Sequence, residues 1–502
     1  MLSYSILIFT FGFWNIFKKN SSLGPLFGFS FIATLSWCAF KLYFSNALSP
    51  SSGILEGVTV LFGLSILGFL LIALSKNKIA QLGAVVLSIV GLNAYLSNPH
   101  TPVDPKLKLD QNAELIVQLN HSNKESISEK ITALNTVQNI SPFYTPLLED
   151  ETDLDDYYTV DIDDRKHLDR AIQSLNEIEG VEWIEPNELL QLNLPTSSDE
   201  VLQNGFSSFV NDPFANRQWN MEALDMNSYY ALFKDKKYAP KKKAKLFILD
   251  SGVNSNHEDI SANFTQHKRS NKKENENDIN GHGTHCAGVA GAVTNNNKGV
   301  ASMNPGSEWY SVSSIKVLSD QGFGSQSKII NGIVEAIDAG ADVISMSLGG
   351  RSSQVKERAY ASVMNYAEKN NVIIVAAAGN SATDAAKYVP AKFKNIITVS
   401  ALDRSLNKAQ FSNYVSNTTN GIAAPGVSIY APWREGRYSA LDGTSMATPH
   451  VAGLLAVMRS LNPTLSTDEA YDILNRTGIK TNDQDLTGSM INPKDAVKAT
   501  IK

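Results

Sequence analysis

Apolar residues crowd the start of the chain and then thin out. Runs at 2–17, 24–44, 54–74 and 79–97 are almost wholly apolar. A membrane helix takes about 20 mostly apolar residues, and rarely fewer than about 17. The pattern therefore predicts four transmembrane helices within 1–97. Lys18 and Lys19 separate the first two runs, Lys76 and Lys78 the last two, and the loop 45–53 carries no charge. Short loops bearing lysine stay in the cytoplasm. Alternation then puts the N-terminus, loop 45–53 and everything after Ser97 outside. Lys41, near the outer end of the second run, goes against this, and its long stem lets the ammonium snorkel to the interface. A cleaved leader is the other reading of the first run, although no basic start precedes it. Even without that span, the Lys76–Lys78 turn keeps the rest of the chain outside.

Beyond the apolar runs, residues 98–112 predict a linker rich in proline. In 113–194 the pattern alternates between short and helical periods. Residues 114–119, 157–162 and 181–186 look like strands. Helical spacing predicts a helix over 125–138, from Ile127, Ile131, Leu134 and Val137, and another over 165–178, from Leu168, Ile172 and Leu175. Strand–helix–strand–strand–helix–strand makes a small α+β domain of ferredoxin-like type. The acidic run 149–156 fits a solvated loop. Residues 195–212 show no strong periodicity. From 213 to 502, apolar strands at 246–249, 343–346, 373–377 and 396–399 alternate with helices. That predicts an α/β class domain with three layers, α/β/α, around a mostly parallel sheet.

A chain of 502 residues has room for about three domains. Its 44 Lys and Arg against 50 Asp and Glu argue against a nucleic-acid partner. The two cysteines, Cys38 and Cys286, are too few for a disulfide framework and leave the compartment to topology.

Three short segments carry chemistry. The strand 245–249 ends in Asp250 before Ser-Gly, and functional groups collect at the carboxyl ends of strands in α/β sheets. In Asn280-Gly-His-Gly-Thr-His285, His282 stands between glycines at a helix start. His282 and His285 lie one helical turn apart, a spacing that also suits metal ligation. A zinc protease wants His-Glu-x-x-His, however, and Gly283 holds the glutamate's place. In Gly443-Thr-Ser-Met-Ala-Thr-Pro-His450, Ser445 sits on a turn feeding an apolar helix over 451–458. A Ser hydroxyl needs an imidazole to take its proton, and the imidazole needs a carboxylate to orient it. Asp, His, Ser is one of the known chain orders for such a triad.

With all three segments in that order, the chain from about 212 to 502 resembles the subtilases, the subtilisin-like serine proteases. The resemblance implies a serine endopeptidase with Asp250, His282 and Ser445 as its triad. It makes Asn380, in Ala376-Ala-Ala-Gly-Asn-Ser381, an oxyanion donor beside the Ser445 backbone N–H. It also implies a substrate cleft edged by Gly322, Phe323 and Gly324 on one side and by Ser347, Leu348 and Gly349 on the other. Ala378 and Gly379 would wall a roomy primary pocket of broad or apolar preference. Asp259, with Gln218 and the loop residues Thr294, Asn296, Lys298 and Val300, matches the family's structural Ca2+ site, and no catalytic metal is expected. Cys286 matches a branch with a thiol behind the catalytic His, although core packing is its commoner role. Residues 113–194, above all 157–192, resemble the subtilase propeptide, which assists folding and blocks the active site until it is cut away. The expected protein is thus a self-processing, membrane-anchored zymogen, with 195–212 as processing linker. Its partners would be protein or peptide substrates and its own propeptide. The alternative is a catalytically silent subtilase-like module held by its prodomain; four intact catalytic positions speak against it. A site inside the bilayer finds no Ser–His–Asp set within the apolar runs.

Overall fold

The computed structural model describes residues 108–144, 152–192, 210–269, 277–352 and 357–501. The four predicted membrane runs lie outside the described residues, as does nearly all of 195–212. Among the described residues, no helix is long and apolar enough to cross a membrane.

The first described lobe holds β1 (Leu115–Leu119), α1 (Lys124–Thr132), β2 (Val137–Pro142), β3 (Tyr157–Ile162), α2 (Leu168–Asn176) and β4 (Val181–Pro186). The strands form an antiparallel sheet in the order β2-β3-β1-β4. Ile127 and Ile131 of α1, and Leu168, Ala171 and Leu175 of α2, are the buried helical positions, at the spacing that keeps one face inward. The helix expected over 125–138 ends at Thr132. Ala133 and Leu134 close its last turn, and β-branched Val137 opens β2 opposite Ile162. Apolar residues at 127, 131, 134 and 137 happen to continue a helical period across that turn, so spacing alone hid the boundary. Three residues past β4 comes β5 (Leu189–Gln191).

The second lobe contains β6 (Ala244–Asp250), β7 (Phe264–Arg269), α3 (His282–Gly291), β8 (Tyr310–Lys316), β9 (Phe323–Ser325), α4 (Gln326–Asp338), β10 (Val343–Met346), β11 (Gly350–Arg351), α5 (Arg358–Lys369), β12 (Ile373–Ala377), β13 (Tyr388–Val389), β14 (Ile397–Leu402), β15 (Gly421–Pro425), β16 (Ile429–Pro432), β17 (Tyr438–Leu441), α6 (Thr444–Leu461) and α7 (Thr467–Thr477). Seven strands form a parallel sheet in the order β15-β14-β12-β10-β6-β8-β7. Parallel sheets are covered on both faces, which is why these strands are apolar at nearly every position. On β6, Leu246 and Ile248 join the core containing α6, while Phe247 and Leu249 join the core containing α4 and α5. The subtilisin-like α/β/α layering is present. The chain leaves β6 for β8 on one side and returns to β10 on the other. That switch opens a crevice at the strands' carboxyl ends, where Asp250 and Ser347 lie.

The two lobes share a core. Ile116, Tyr157, Leu190 and Leu192 pack into the cluster built by α4 and α5. They also share helix caps, and these were not legible beforehand. The N-cap of α4, Ser325, makes no side-chain cap; instead Asn187 accepts from Ser327 N at 3.0 Å and donates to Ser327 Oγ at 2.9 Å. The N-cap of α5, Glu357, is equally idle there; Glu185 accepts from the backbone amides of Arg358 and Ala359. Glu185 also accepts from Trp183 Nε1 at 3.0 Å and Gln326 Nε2 at 2.6 Å. Burial pushes its carboxyl up to about 7, with the four donors pulling the other way.

Candidate active site

β6 delivers Asp250 at its end, and α3 begins on His282. The His282 Nδ1–H donates to Asp250 Oδ1 at 2.7 Å, with both side chains wholly buried. Holding the proton on Nδ1 leaves the Nε2 lone pair free, and Nε2 has no partner. Burial works to lower the imidazole pKa, but the Asp250 carboxylate, helped by Cys286, wins and holds it well above the ordinary value. Cys286 lies one turn along α3, its Sγ 3.9 Å from His282 Nδ1 and 3.4 Å from the Ser445 carbonyl it faces. The thiol therefore does pack behind the imidazole. His285 points away, its Nε2 on the carbonyls of Ile429 and Ser439 at 3.0 and 3.1 Å. Burial lowers its pKa to about 3, so it is a neutral structural residue.

The helix expected over 451–458 begins earlier: α6 starts at Thr444, so Ser445, expected on a turn, carries its hydroxyl on the helix's first turn. Free amides and the positive end of the helix dipole are gathered there. Ser445 Oγ donates to Ser347 O at 3.1 Å rather than to the imidazole. A nucleophilic role would require the oxygen to turn from that carbonyl toward Nε2, and catalytic contacts commonly tighten only when substrate is present. Asn380 is fixed by its oxygen, which accepts from Thr444 N at 2.9 Å and Thr444 Oγ1 at 2.8 Å. That leaves its Nδ2–H2 as the group to present to an anion.

Ser347, Leu348 and Gly349 line one cleft with Ala378, Gly379, Asn380 and Ser445. Thr444 and Tyr388, which sequence reasoning passed over, line it too. So do Gln191 and Leu192 of the first lobe. The stretch Gly322, Phe323, Gly324 supplies the other edge, and it is occupied. β5 pairs antiparallel with β9, Leu190 opposite Gly324 and Gln191 opposite Phe323, and Leu192 N donates to Gly322 O at 2.9 Å. Leu190 rests on Gly350, where a Cβ would come within 2.8 Å of its Cδ2. Phe323 is half-buried, with the Lys108 ammonium 5.3 Å from its ring centre.

Around Asp259, Val300 N donates to one carboxylate oxygen at 2.8 Å and Asn296 Nδ2 to the other at 2.9 Å. The Asn296 oxygen, expected to face a metal, accepts from Lys298 N at 2.7 Å. Gln218 exchanges two bonds with the Ala301 backbone, both 2.8 Å, and Thr294 Oγ1 accepts from Ser302 N at 3.1 Å. Burial, aided by Asp212 and Glu258, pushes Asp259 up to about 7 against the pull of its two donors.

Comparison with known proteins agrees with this geometry. Residues 241–492 match the model of the subtilase family. The chain is 39% identical over 257 residues to thermitase of Thermoactinomyces vulgaris, covering 50% of this chain and 85% of that one. It is 38% identical over 251 residues to subtilisin DY of Bacillus licheniformis, covering 48% and 85%. A solved structure of a protease from Pseudoalteromonas arctica PAMC 21717 superposes with a TM-score of 0.52 at 27% identity, covering 58% of this chain and all of that one. With the family's pattern matched across half its length, and an acid, an imidazole and a hydroxyl converging at the switch point of its sheet, this chain belongs to the subtilase family and is a serine endopeptidase.

Proposed function

We propose that Asp250, His282 and Ser445 are the catalytic triad of an extracytoplasmic, self-processing zymogen. In this reading His282 Nε2 takes the Ser445 proton as Oγ attacks the peptide carbonyl, then hands it to the departing amine. Asp250 fixes the tautomer and stabilises the imidazolium. Asn380 Nδ2 and the Ser445 N–H stabilise the oxyanion; loss of one such donor costs about 10²–10³ in rate. Substrates are extended protein segments adding a strand to β9. They enter a small-residue pocket walled by Ala378 and Gly379, of broad or apolar preference. The acidic or basic side chain that would demand an opposite charge is missing from that described wall.

The observation that carries the zymogen reading is the tail. Leu189 to Leu192 of the ferredoxin-like lobe lie where a substrate would, on the β9 edge and beside Ser445. We therefore assign 113–194 as an inhibitory propeptide and 213–502 as the catalytic domain. With Leu192 lining the cleft beside Ser445, the bond cut during maturation falls shortly after Leu192. The 1–97 runs would anchor the precursor, with the catalytic domain outside.

A structural calcium ion fits the oxygen donors around Asp259. That buried carboxylate meets neutral donors, Val300 N, Asn296 Nδ2 and the Tyr438 hydroxyl, and burial beside Asp212 and Glu258 raises its pKa, so a cation there would offset charge that its present partners leave uncompensated. Asp259, the Gln218 oxygen and the carbonyls of Thr294, Lys298 and Val300 would hold the ion, with the Asn296 amide turned to present its oxygen. Hard oxygen ligands suit calcium. Its contribution is charge neutralisation and stiffness, and no catalytic step passes through it.

A fluorophosphonate probe tests the nucleophile directly. It should label the mature enzyme once, at Ser445 by peptide mapping; label elsewhere, or persisting in Ser445→Ala, would refute the assignment.

A further inference from the structure

Asp278 is a buried carboxylate to which none of the roles above applies. It lies four residues before His282, in the segment leading into α3. That helix opens on Gly281, at φ 99°, a residue with no side chain to cap anything. The first amides of a helix have no partner within it. Here each one finds a side chain. Gly281 N donates to Asp278 Oδ1 and Thr284 N to Asp278 Oδ2, both at 2.8 Å. His282 N donates to Asn280 Oδ1 at 3.3 Å, and Gly283 N to Ser251 Oγ at 3.0 Å. Thr284 Oγ1 adds a 2.6 Å bond to Asp278 Oδ2, and Ser251 Oγ donates to Asp278 Oδ1 at 2.9 Å.

Those bonds close a ring around the acid–imidazole contact. Ser251 N donates at 2.7 Å to Asp250 Oδ1, the same oxygen that accepts from His282 Nδ1. Asp278 thus grips both sides: the turn following Asp250, through Ser251, and the helix start bearing His282. The fit has no slack, since a Cβ on Gly283 would lie 2.0 Å from Gly252 O. An ordinary cap does less. Ser466 caps α7 through a reciprocal box with Glu469, whose bonds stay within that helix start.

We propose that Asp278 is a positioning residue for the reaction, locking the helix start of His282 onto the Asp250–Ser251 turn and so setting where Nε2 points. The proposal rests on His282 being the general base. A shift of about 1 Å in a catalytic group costs on the order of 10²-fold in rate. Asp278→Asn keeps the side chain's shape but turns an N–H2 toward donors that need an acceptor.

The test compares wild type, Asp278→Asn and Ser466→Ala as mature enzymes. Asp278→Asn should lower kcat roughly 10- to 100-fold with KM within about twofold, as expected when transition-state positioning is lost. Ser466→Ala should lower the melting temperature and leave kcat alone. The low-field proton resonance of the His282 Nδ1–H should shift or broaden in Asp278→Asn and stay put in Ser466→Ala. Should Asp278→Asn fail to fold, Ser251→Ala keeps both Asp278 caps while breaking the bridge and, with it, the acceptor of Gly283 N; the same kcat loss and the same resonance change are expected. Unchanged kcat and resonance in a folded bridge variant would overturn the proposal. The resonance needs no turnover, so it separates this idea from the catalytic reading: an inactive wild type undoes the latter, an unmoved line the former.

Discussion

The grip of the first lobe on the catalytic lobe should depend on pH, and Glu185 sets the direction. Docked, its carboxyl is raised to about 7, chiefly by burial; in water the ordinary value is 4.5. A group with a raised pKa in the complex favours association while it is protonated. Docking is therefore strongest below pH 4.5, weakens as pH rises through about 7, and levels off above that. The gap of 7 − 4.5 = 2.5 units sets the ceiling, at a factor of ten per unit: about 300-fold in affinity. Because His282 titrates as well, inhibition is the wrong readout. Binding of a 108–192 polypeptide, supplied in trans to a Ser445→Ala catalytic domain, is the right one, followed by fluorescence between pH 4.5 and 8.5. Wild-type polypeptide should lose affinity across the window. Glu185→Gln, neutral throughout and still able to accept an amide bond, should bind almost independently of pH. Equal slopes for the two would mean that some other group controls docking, and the reasoning would fail.

Two further outcomes follow from the site. The imidazole must be neutral to act as a base, and Asp250 holds its pKa above 6.5. The acid limb of kcat/KM should consequently lie above pH 6.5, giving an enzyme most active in alkaline solution; a limb below 6 would contradict the buried Asp250–His282 pair. Chelation with EGTA at pH 8 should lower the melting temperature of the mature domain by roughly 5–10 °C. A ligand at 100 times its Kd contributes about 2.7 kcal/mol, and each kcal/mol is worth about 2–4 °C in a domain of this size. Asp259→Asn should remove the difference, and an unchanged wild-type curve would take calcium out of the account.

Sequence alone revealed much of the catalytic lobe because its chemistry is local. Asp250, His282 and Ser445 each sit where an apolar run meets a glycine-bearing turn, so strand end and helix start are written beside the functional residue. The sheet was legible for a related reason: strands buried on both faces are apolar throughout. What stayed hidden depends on distance along the chain. Nothing near α4 or α5 says that Asn187 and Glu185, about 140 and 170 residues upstream, cap them. Asp278 left a weaker trace, an acid shortly before a helix whose Gly281 cannot cap itself. The end of α1 was lost because Val137 fits both a helical and a strand period. The rotamer of Ser445 and the amide orientation of Asn296 are set by contacts with Ser347 and Lys298, which no pattern encodes.

The most direct measurement is the length and N-terminus of the chain made by wild type and by Ser445→Ala, each expressed in a host lacking other processing proteases. The tail beside Ser445 is presented within the molecule, where effective concentration is high. Wild type should therefore yield a shorter species whose N-terminus lies shortly after Leu192, and Ser445→Ala a folded chain that stays uncut. Maturation of Ser445→Ala at the wild-type rate would show that another enzyme makes the cut, and the self-activating zymogen would have to be abandoned.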